Sequence, residues 1–320
     1  MKPNCLIIDD MHTSIISMLE ASGIQTDYEP QISREAILER IKNYEGIIVR
    51  SKIKIDHEFL NKASNLKYIA RAGAGKDNID TELAEKMGIT ILNAPEGNRD
   101  AVAEHVIGMI LNLINKISSS DKEVRNNIWK REANRGKELS NLTVGIIGFG
   151  NTGRAVAKRI TCFGCKVLAN DIREVQNPEP GVINSGLQDF FDQADIVSIH
   201  IPLDSHNRSF INKDFFSKFK KPIWFINSAR GEVVNTHDLV QELNSGKVLG
   251  AGLDVLENEK LESLTEDQRN DFEALCAMPN VILTPHVAGW THESYKKISE
   301  VLGLKIDQFY KSINNQNSIF

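Results

Sequence analysis

The chain has 320 residues, 41% of them hydrophobic, which fills the cores of two domains of ordinary size and is too much for a single small module. Charged residues make up 25%, and a formal net charge of -5 with no block of like charge argues against a nucleic-acid partner, whose phosphates call for a basic surface. No apolar run approaches the roughly 18 residues of a membrane span, MKPNCLIIDD lacks the h-region of a signal peptide, and four scattered cysteines form no disulfide framework, so a cytoplasmic protein without membrane contact is expected.

Over residues 1–97 the short β-branched runs CLIID, IQTDY, GIIVR, LKYIAR and ITILN alternate with helical stretches, the pattern of βα units around a parallel sheet. One of these helices is expected from Ser33, whose hydroxyl can cap it, to Lys42. From Asn98 to about Asn127, Val102, Val106, Met109, Ile110, Leu113 and Ile117 recur at helical spacing and predict one long helix. A second strand series follows: LTVGIIG, KVLAND, DIVSIH, PIWFIN, VLGAGLDV and VILTP, with helices such as Arg154 to Phe163 and Thr236 to Asn244 between them. A last helix is expected from about Glu293 to Phe309, before the polar tail KSINNQNSIF. The fold class is therefore α/β, with two doubly wound parallel-sheet domains.

The strand LTVGIIG runs into GFGNTG, which puts Gly148, Gly150 and Gly153 at the GxGxxG positions between a strand and a helix. Gly148 is expected to make the tight turn, Gly150 to admit a pyrophosphate to the backbone, and Gly153 to let the helix approach the sheet. The next strand ends at Asp171, where a carboxylate accepts hydrogen bonds from an adenosine ribose and repels a 2'-phosphate. This favours NAD over NADP, while the nearby Arg173 keeps the phosphorylated cofactor open. Four further polar residues close strands at the same sheet edge: His200, Arg230, Asp254 and His286. Ligands of open parallel sheets bind at that edge, so these four are expected to line a cleft.

GFGNTG with Asp171, NSARGEVV around Arg230, GLDVLENE with Asp254 and Glu259, and LTPHVAGW around His286 together resemble the D-isomer-specific 2-hydroxyacid dehydrogenases, over nearly the whole chain. In the N-terminal half, VRSKIKID, RAGAGKDNID and NAPEGNRDAVAEH are most similar to the phosphoglycerate dehydrogenase branch. The resemblance implies a flavodoxin-like substrate domain from residues 1–97 with 290–320 and a Rossmann NAD-binding domain over 98–289, closing over a central cleft. It implies a catalytic set of Arg230, Glu259 and His286. It also implies a cofactor contact from Asp254 to the nicotinamide carboxamide and further contacts from Asn151, Thr152, His200, Ile201, Ser228, Ala229, Arg230, His286 and Gly289. Ala74 and Gly75 would turn backbone amides to the substrate carboxylate. Arg50 and Lys52 either meet a phosphate at the substrate's far end or form an ordinary solvated loop. Trp129 and Arg131 match a family pattern that reaches a neighbouring subunit, which hints at a homodimer.

The implied chemistry can be argued independently. Oxidising a 2-hydroxy acid needs a base for the hydroxyl proton while hydride leaves carbon 2, and imidazole titrates in the right range. His286 is that base, Glu259 fixes its tautomer, and Arg230 offers a planar fork to carboxylate and keto oxygen. The expected activity is NAD-dependent oxidation of D-3-phosphoglycerate, or the reverse reduction of its keto acid, which would place the protein in serine biosynthesis. The alternatives are reduction of glyoxylate, hydroxypyruvate or another 2-keto acid, and an NAD(H)-sensing binding protein on the same fold.

This sequence departs from the family pattern at Lys260, where relatives have proline, and in its long stretch from Leu261 to Met278; both leave Glu257 as a competitor to Glu259. Cys162 and Cys165 form a CxxC at the end of a helix, where the dipole would raise a thiol pKa, so no redox role is expected. His105 sits within the long helix as a core or interface residue. Histidines 12, 57, 206, 237 and 292 show no metal-ligand spacing, and no metal is expected. The chain ends soon after the last helix, without room for a C-terminal regulatory domain, so feedback inhibition through one is not expected.

Overall fold

The fold is given by a computed structural model that describes residues 2–176 and 178–317, of which 314–317 by backbone alone. The first part alternates strands and helices: β1 Asn4–Ile7, α1 Ser14–Ala21, β2 Gln25–Tyr28, α2 Arg34–Arg40, β3 Gly46–Val49, α3 His57–Lys62, β4 Tyr68–Arg71, α4 Thr81–Lys86 and β5 Thr90–Asn93. Helices α5 Pro95–Asn115 and α6 Ile117–Arg125 follow. The remainder is β6 Thr143–Ile147, α7 Asn151–Ile160, β7 Lys166–Asn170, β8 Val182–Asn184, α8 Leu187–Gln193, β9 Ile196–Ile199, α9 Lys213–Ser217, β10 Ile223–Asn227, α10 Thr236–Ser245, β11 Val248–Leu253, α11 Glu266–Ala277, β12 Val281–Leu283 and α12 His292–Asn317.

Two compact units result, each around one parallel sheet. In the unit Met1–Asn98 with Thr291–Phe320 the strand order is β2-β1-β3-β4-β5, the flavodoxin-like doubly wound order. All four residues of β3 are buried, because helices cover a parallel sheet on both faces. Ile47, Val49, Phe59 and Ile69 fill one face; Ile7, Ile48 and Tyr68 fill the other, beneath Ile298, Leu302 and Ile306 of α12. Ser33 caps α2 as expected, its side chain accepting from the Ala36 amide, and Asp56 and Asp80 cap α3 and α4 in the same way.

The unit Arg99–Trp290 holds a seven-stranded sheet in the order β12-β11-β10-β9-β6-β7-β8, a Rossmann arrangement in which chain direction across the sheet reverses between β6 and β9. Val102, Val106, Met109, Ile110 and Leu113 of α5 are buried on one face. On the other, Phe191, Phe215 and Phe219 pack edge to face, with ring centroids 5.1–5.6 Å apart.

Three expectations need correction. The stretch from Asn98 to Asn127 is two helices: Lys116 adopts a left-handed φ of 54°, and the Asn112 side chain accepts from the Ser118 amide at 2.8 Å, giving α6 its own start. Ile117 thus leaves the buried stripe and is exposed. The three-residue strand β8 was not expected, being too short to show alternation. Helix α12 runs on to Asn317 through polar residues expected to be a tail, whose last three residues lie outside the described residues.

Candidate functional site

The loop from β6 into α7 explains its glycines one by one. Gly148 has φ 91°, and a Cβ there would lie 2.6 Å from the His200 carbonyl. A Cβ on Gly153 would lie 2.0 Å from the Gly148 oxygen, so only glycine lets α7 pack this closely. At Gly150, by contrast, a Cβ would meet nothing within 4 Å; open space adjoins the backbone where α7 begins. Gly150 supplies no side-chain cap, so the first-turn amides at Asn151, Thr152 and Gly153 present the positive end of a ten-residue helix.

A cleft of about 540 Å³ borders this turn, lined by Phe149, Gly150, Asn151, Arg154, Asp171 and Arg173 among others. Asp171 is held by the Phe149 amide at 2.7 Å on one oxygen and by the Arg173 amide at 2.9 Å on the other. Each carboxylate oxygen keeps a lone pair for a sugar hydroxyl. On the other side of the switch point, His200 shares Nε2 with the Ser198 hydroxyl at 2.8 Å, while its enclosed Nδ1 and the Ser228 hydroxyl have no protein partner. Buried polar atoms in that state signal a ligand or ordered water. Burial pushes the His200 pKa down to about 4, so its ring is neutral at pH 7. Ile201, Ala229 and Gly289 are each partly buried. The donors, the open turn and the ribose-side carboxylate fit a dinucleotide.

The turn after β12 carries His286, whose Nδ1 lies 2.9 Å from Oε1 of Glu259. Both side chains are half exposed, which leaves Nε2 accessible. Glu257, the competing carboxylate, accepts instead from the Thr236 hydroxyl at 2.9 Å, below the start of α10. The long stretch after Lys260 is a short 3-10 turn followed by α11, whose start is a complete capping box between Thr265 and Gln268. Gln268 also accepts from Asn258 at 3.2 Å, tying the loop next to Glu259 down. Lys260 therefore substitutes for proline without displacing the carboxylate from His286.

Arg230 is braced by a residue the sequence did not single out. Asn227, 1% exposed at the end of β10, donates to the Arg230 carbonyl at 2.9 Å and accepts from the Ala229 amide at 3.0 Å. Gly231 then passes so close to the next loop that a Cβ would sit 1.9 Å from the Leu256 carbonyl. Asn227 was hidden within an apolar strand run; its only sequence signal is a polar residue ending that run. Asp254 is also 1% exposed, and its carboxylate accepts from the amides of Val287 and Ala288 at 2.9 Å each and from the Thr284 hydroxyl.

In the other unit, β4 ends in the RAGAG loop, where Gly73 takes φ 141°. Among the described residues, the amides of Ala74 and Gly75 have no acceptor within the protein. The Arg50 amide donates to Asp9 at 2.6 Å, and its side chain is partly buried. The Lys52 ammonium is exposed and donates to the Pro30 carbonyl. Trp129 is 83% exposed, and none of the residues of α6 is buried. Cys165 is buried, and that burial raises its thiol pKa. Among the described residues, no cluster of metal-ligating side chains occurs and no helix is long and apolar enough to cross a membrane.

Residues 107–288 match the family model of the D-isomer specific 2-hydroxyacid dehydrogenase NAD binding domain. The chain is 35% identical over 93% of its length to a hydroxypyruvate reductase of Thermotoga maritima, of which it covers 94%. It is 32% identical over 98% of its length to a D-3-phosphoglycerate dehydrogenase of Archaeoglobus fulgidus, but spans only 58% of that protein. A D-lactate dehydrogenase from Aquifex aeolicus, solved with NAD and lactic acid, superposes with a TM-score of 0.83 at 29% identity, over 98% of this chain and 97% of that one. By fold, cofactor-binding turn and sequence alike, the chain belongs to the D-isomer-specific 2-hydroxyacid dehydrogenases, a family of NAD-dependent oxidoreductases.

Proposed function

We propose that the protein oxidises D-3-phosphoglycerate at carbon 2, or reduces the corresponding keto acid, with His286 as the proton-transferring group. The observation that carries the chemistry is the Glu259 carboxylate 2.9 Å from His286 Nδ1, which holds that nitrogen protonated and leaves Nε2 as the base. NAD, when bound, supplies the hydride acceptor. His286 Nε2 takes the hydroxyl proton as hydride leaves carbon 2 with its electron pair, so a ketone forms; reduction reverses both transfers. The imidazolium so formed is stabilised by Glu259. Arg230 pairs with the acid's carboxylate and keto oxygen, and Asp254 keeps a lone pair for the nicotinamide carboxamide. Asp171 and the turn at Gly148, Gly150, Asn151, Thr152 and Gly153 hold the adenosine and pyrophosphate. His200, Ile201, Ser228, Ala229 and Gly289 complete the cofactor contacts.

Phosphoglycerate as substrate rests on Arg50 and Lys52 for the phosphate and on the unpaired amides of Ala74 and Gly75 for the carboxylate. A second reading, reduction of hydroxypyruvate or glyoxylate, has its own support: the Lys52 ammonium is already bound to Pro30, and the Thermotoga reductase matches along 94% of its length. Absorbance of reduced nicotinamide separates the two. With D-3-phosphoglycerate, D-glycerate, hydroxypyruvate and glyoxylate as the panel, phosphoglycerate is turned over best, and Arg50→Ala raises its KM by about tenfold or more, the loss of one charge-assisted contact. Turnover of the unphosphorylated acids alone moves the protein to the reductase reading. Bound NADH with no turnover at all selects a cofactor-sensing module. We further propose that two copies pair through the exposed face of α6 and Trp129.

A further inference from the structure

We propose that His105, on α5, is a positioning residue that acts through Thr284 and Asp254 to hold the His286 turn in its working conformation. The inference rests on the reading of His286 as the proton-transferring group.

His286 has φ 54°, a left-handed backbone that residues other than glycine rarely adopt. Something must hold it there, and the donors converge on one buried residue. The Asp254 carbonyl accepts from the His286 amide at 2.8 Å. Asp254 Oδ1 accepts from the Val287 amide at 2.9 Å, and Oδ2 from the Ala288 amide at 2.9 Å. These three consecutive amides fix the turn that contains His286.

The carboxylate is itself held. The Thr284 Oγ1 lies 2.5 Å from Asp254 Oδ1, and since a carboxylate only accepts, the threonine proton points at it. With its one proton committed, Thr284 Oγ1 can only accept from His105 Nε2, which lies 3.0 Å away. His105 therefore carries its proton on Nε2, and this nitrogen is also 3.7 Å from Asp254 Oδ1. The donor order runs from His105 to Thr284 to Asp254, and it ends on the amides of the catalytic turn. The same residue reaches the other half of the site: the Asp254 amide donates to the carbonyl of Asn227, the residue that braces Arg230. Removing the Thr284 hydroxyl leaves a lone pair of the buried carboxylate unpaired in a medium that penalises it, removing His105 takes away the donor that holds the Thr284 hydroxyl toward Asp254, and in both the turn is what can relax.

Three variants test this: His105→Leu, Thr284→Val and His105→Gln, the last placing an amide donor where Nε2 was. We expect kcat to fall about tenfold or more in His105→Leu and Thr284→Val, with KM and the NADH Kd changing less than about threefold, and His105→Gln to recover most of the rate. The double variant His105→Leu/Thr284→Val should be no slower than the worse single one, since both lie on one path. A second readout is independent of turnover. Amide hydrogen exchange across 284–290 should rise about tenfold in the two disruptive variants and stay near wild type in His105→Gln. Unchanged exchange in both disruptive variants, or a kcat within twofold of wild type, overturns the proposal. If the wild-type protein turns over no acid, the functional reading falls, whereas the exchange result still decides the positioning role.

Discussion

At the residue scale, neutral and charged groups are kept apart around the switch point. His286 faces a carboxylate, whereas His200 is paired only with a serine hydroxyl and carries an enclosed, unpaired ring nitrogen. The burial that lowers the His200 pKa to about 4 makes stability depend on pH with a definite sign. Between pH 6.5 and 4 the unfolded chain binds a proton at this position and the folded chain does not, so stability is full above pH 6.5 and declines as pH falls. We expect the apoprotein to lose about 2 kcal/mol from this group between pH 6.5 and 5, a loss that His200→Asn removes. Urea unfolding of both proteins at the two pH values measures it; equal losses in the two would refute a neutral buried imidazole.

At the scale of elements, eleven of the twelve strands among the described residues were legible as apolar runs, because a strand buried on both faces shows as a continuous β-branched stretch. The glycine turn was legible for a different reason: Gly148 and Gly153 each answer a steric demand that no other residue meets, and Gly150 leaves open space beside the backbone. The helix break at Lys116 was not legible, because the helical period of α5 continues in register to Ile117 and the capping group, Asn112, lies inside the preceding helix. The Glu257 and Glu259 ambiguity was likewise beyond the sequence. Both carboxylates follow the same strand, and only the loop's path, pinned by Asn258 and Gln268, sends one to His286 and the other to Thr236. His105 sat in a core-like pattern that concealed a polar partner. Helix α6 leaves Ile117 54%, Val124 51% and, just beyond it, Trp129 83% exposed, a larger apolar surface than a lone helix keeps in water without cause. Light scattering should therefore give about twice the chain mass of 35.8 kDa, falling toward one chain in Trp129→Ala with Val124→Asp; a monomeric wild-type protein would remove the pairing.

For the whole molecule, two sheets of different strand order supply different chemistry at their carboxyl edges. The five-stranded sheet presents unpaired amides after β4 and a cation after β3, groups that attract anions. The seven-stranded sheet presents an open helix terminus, the Asp171 carboxylate beside it and the paired His286 and Glu259, which the proposed reading assigns to the dinucleotide and to proton transfer. Family membership follows from the second sheet and its turn; under the proposed reading, the choice among acids turns on Arg50 and Lys52 of the first. The central claim is that His286, oriented by Glu259, moves the proton while hydride passes to NAD. The most direct measurement is the rate of NADH formation or consumption with the best acid of the panel, in wild-type protein and in His286→Ala, alongside NADH binding by fluorescence. The account predicts a loss of about 10² to 10⁴ in kcat with NADH affinity retained. A His286→Ala variant that binds NADH and turns over at the wild-type rate would contradict it.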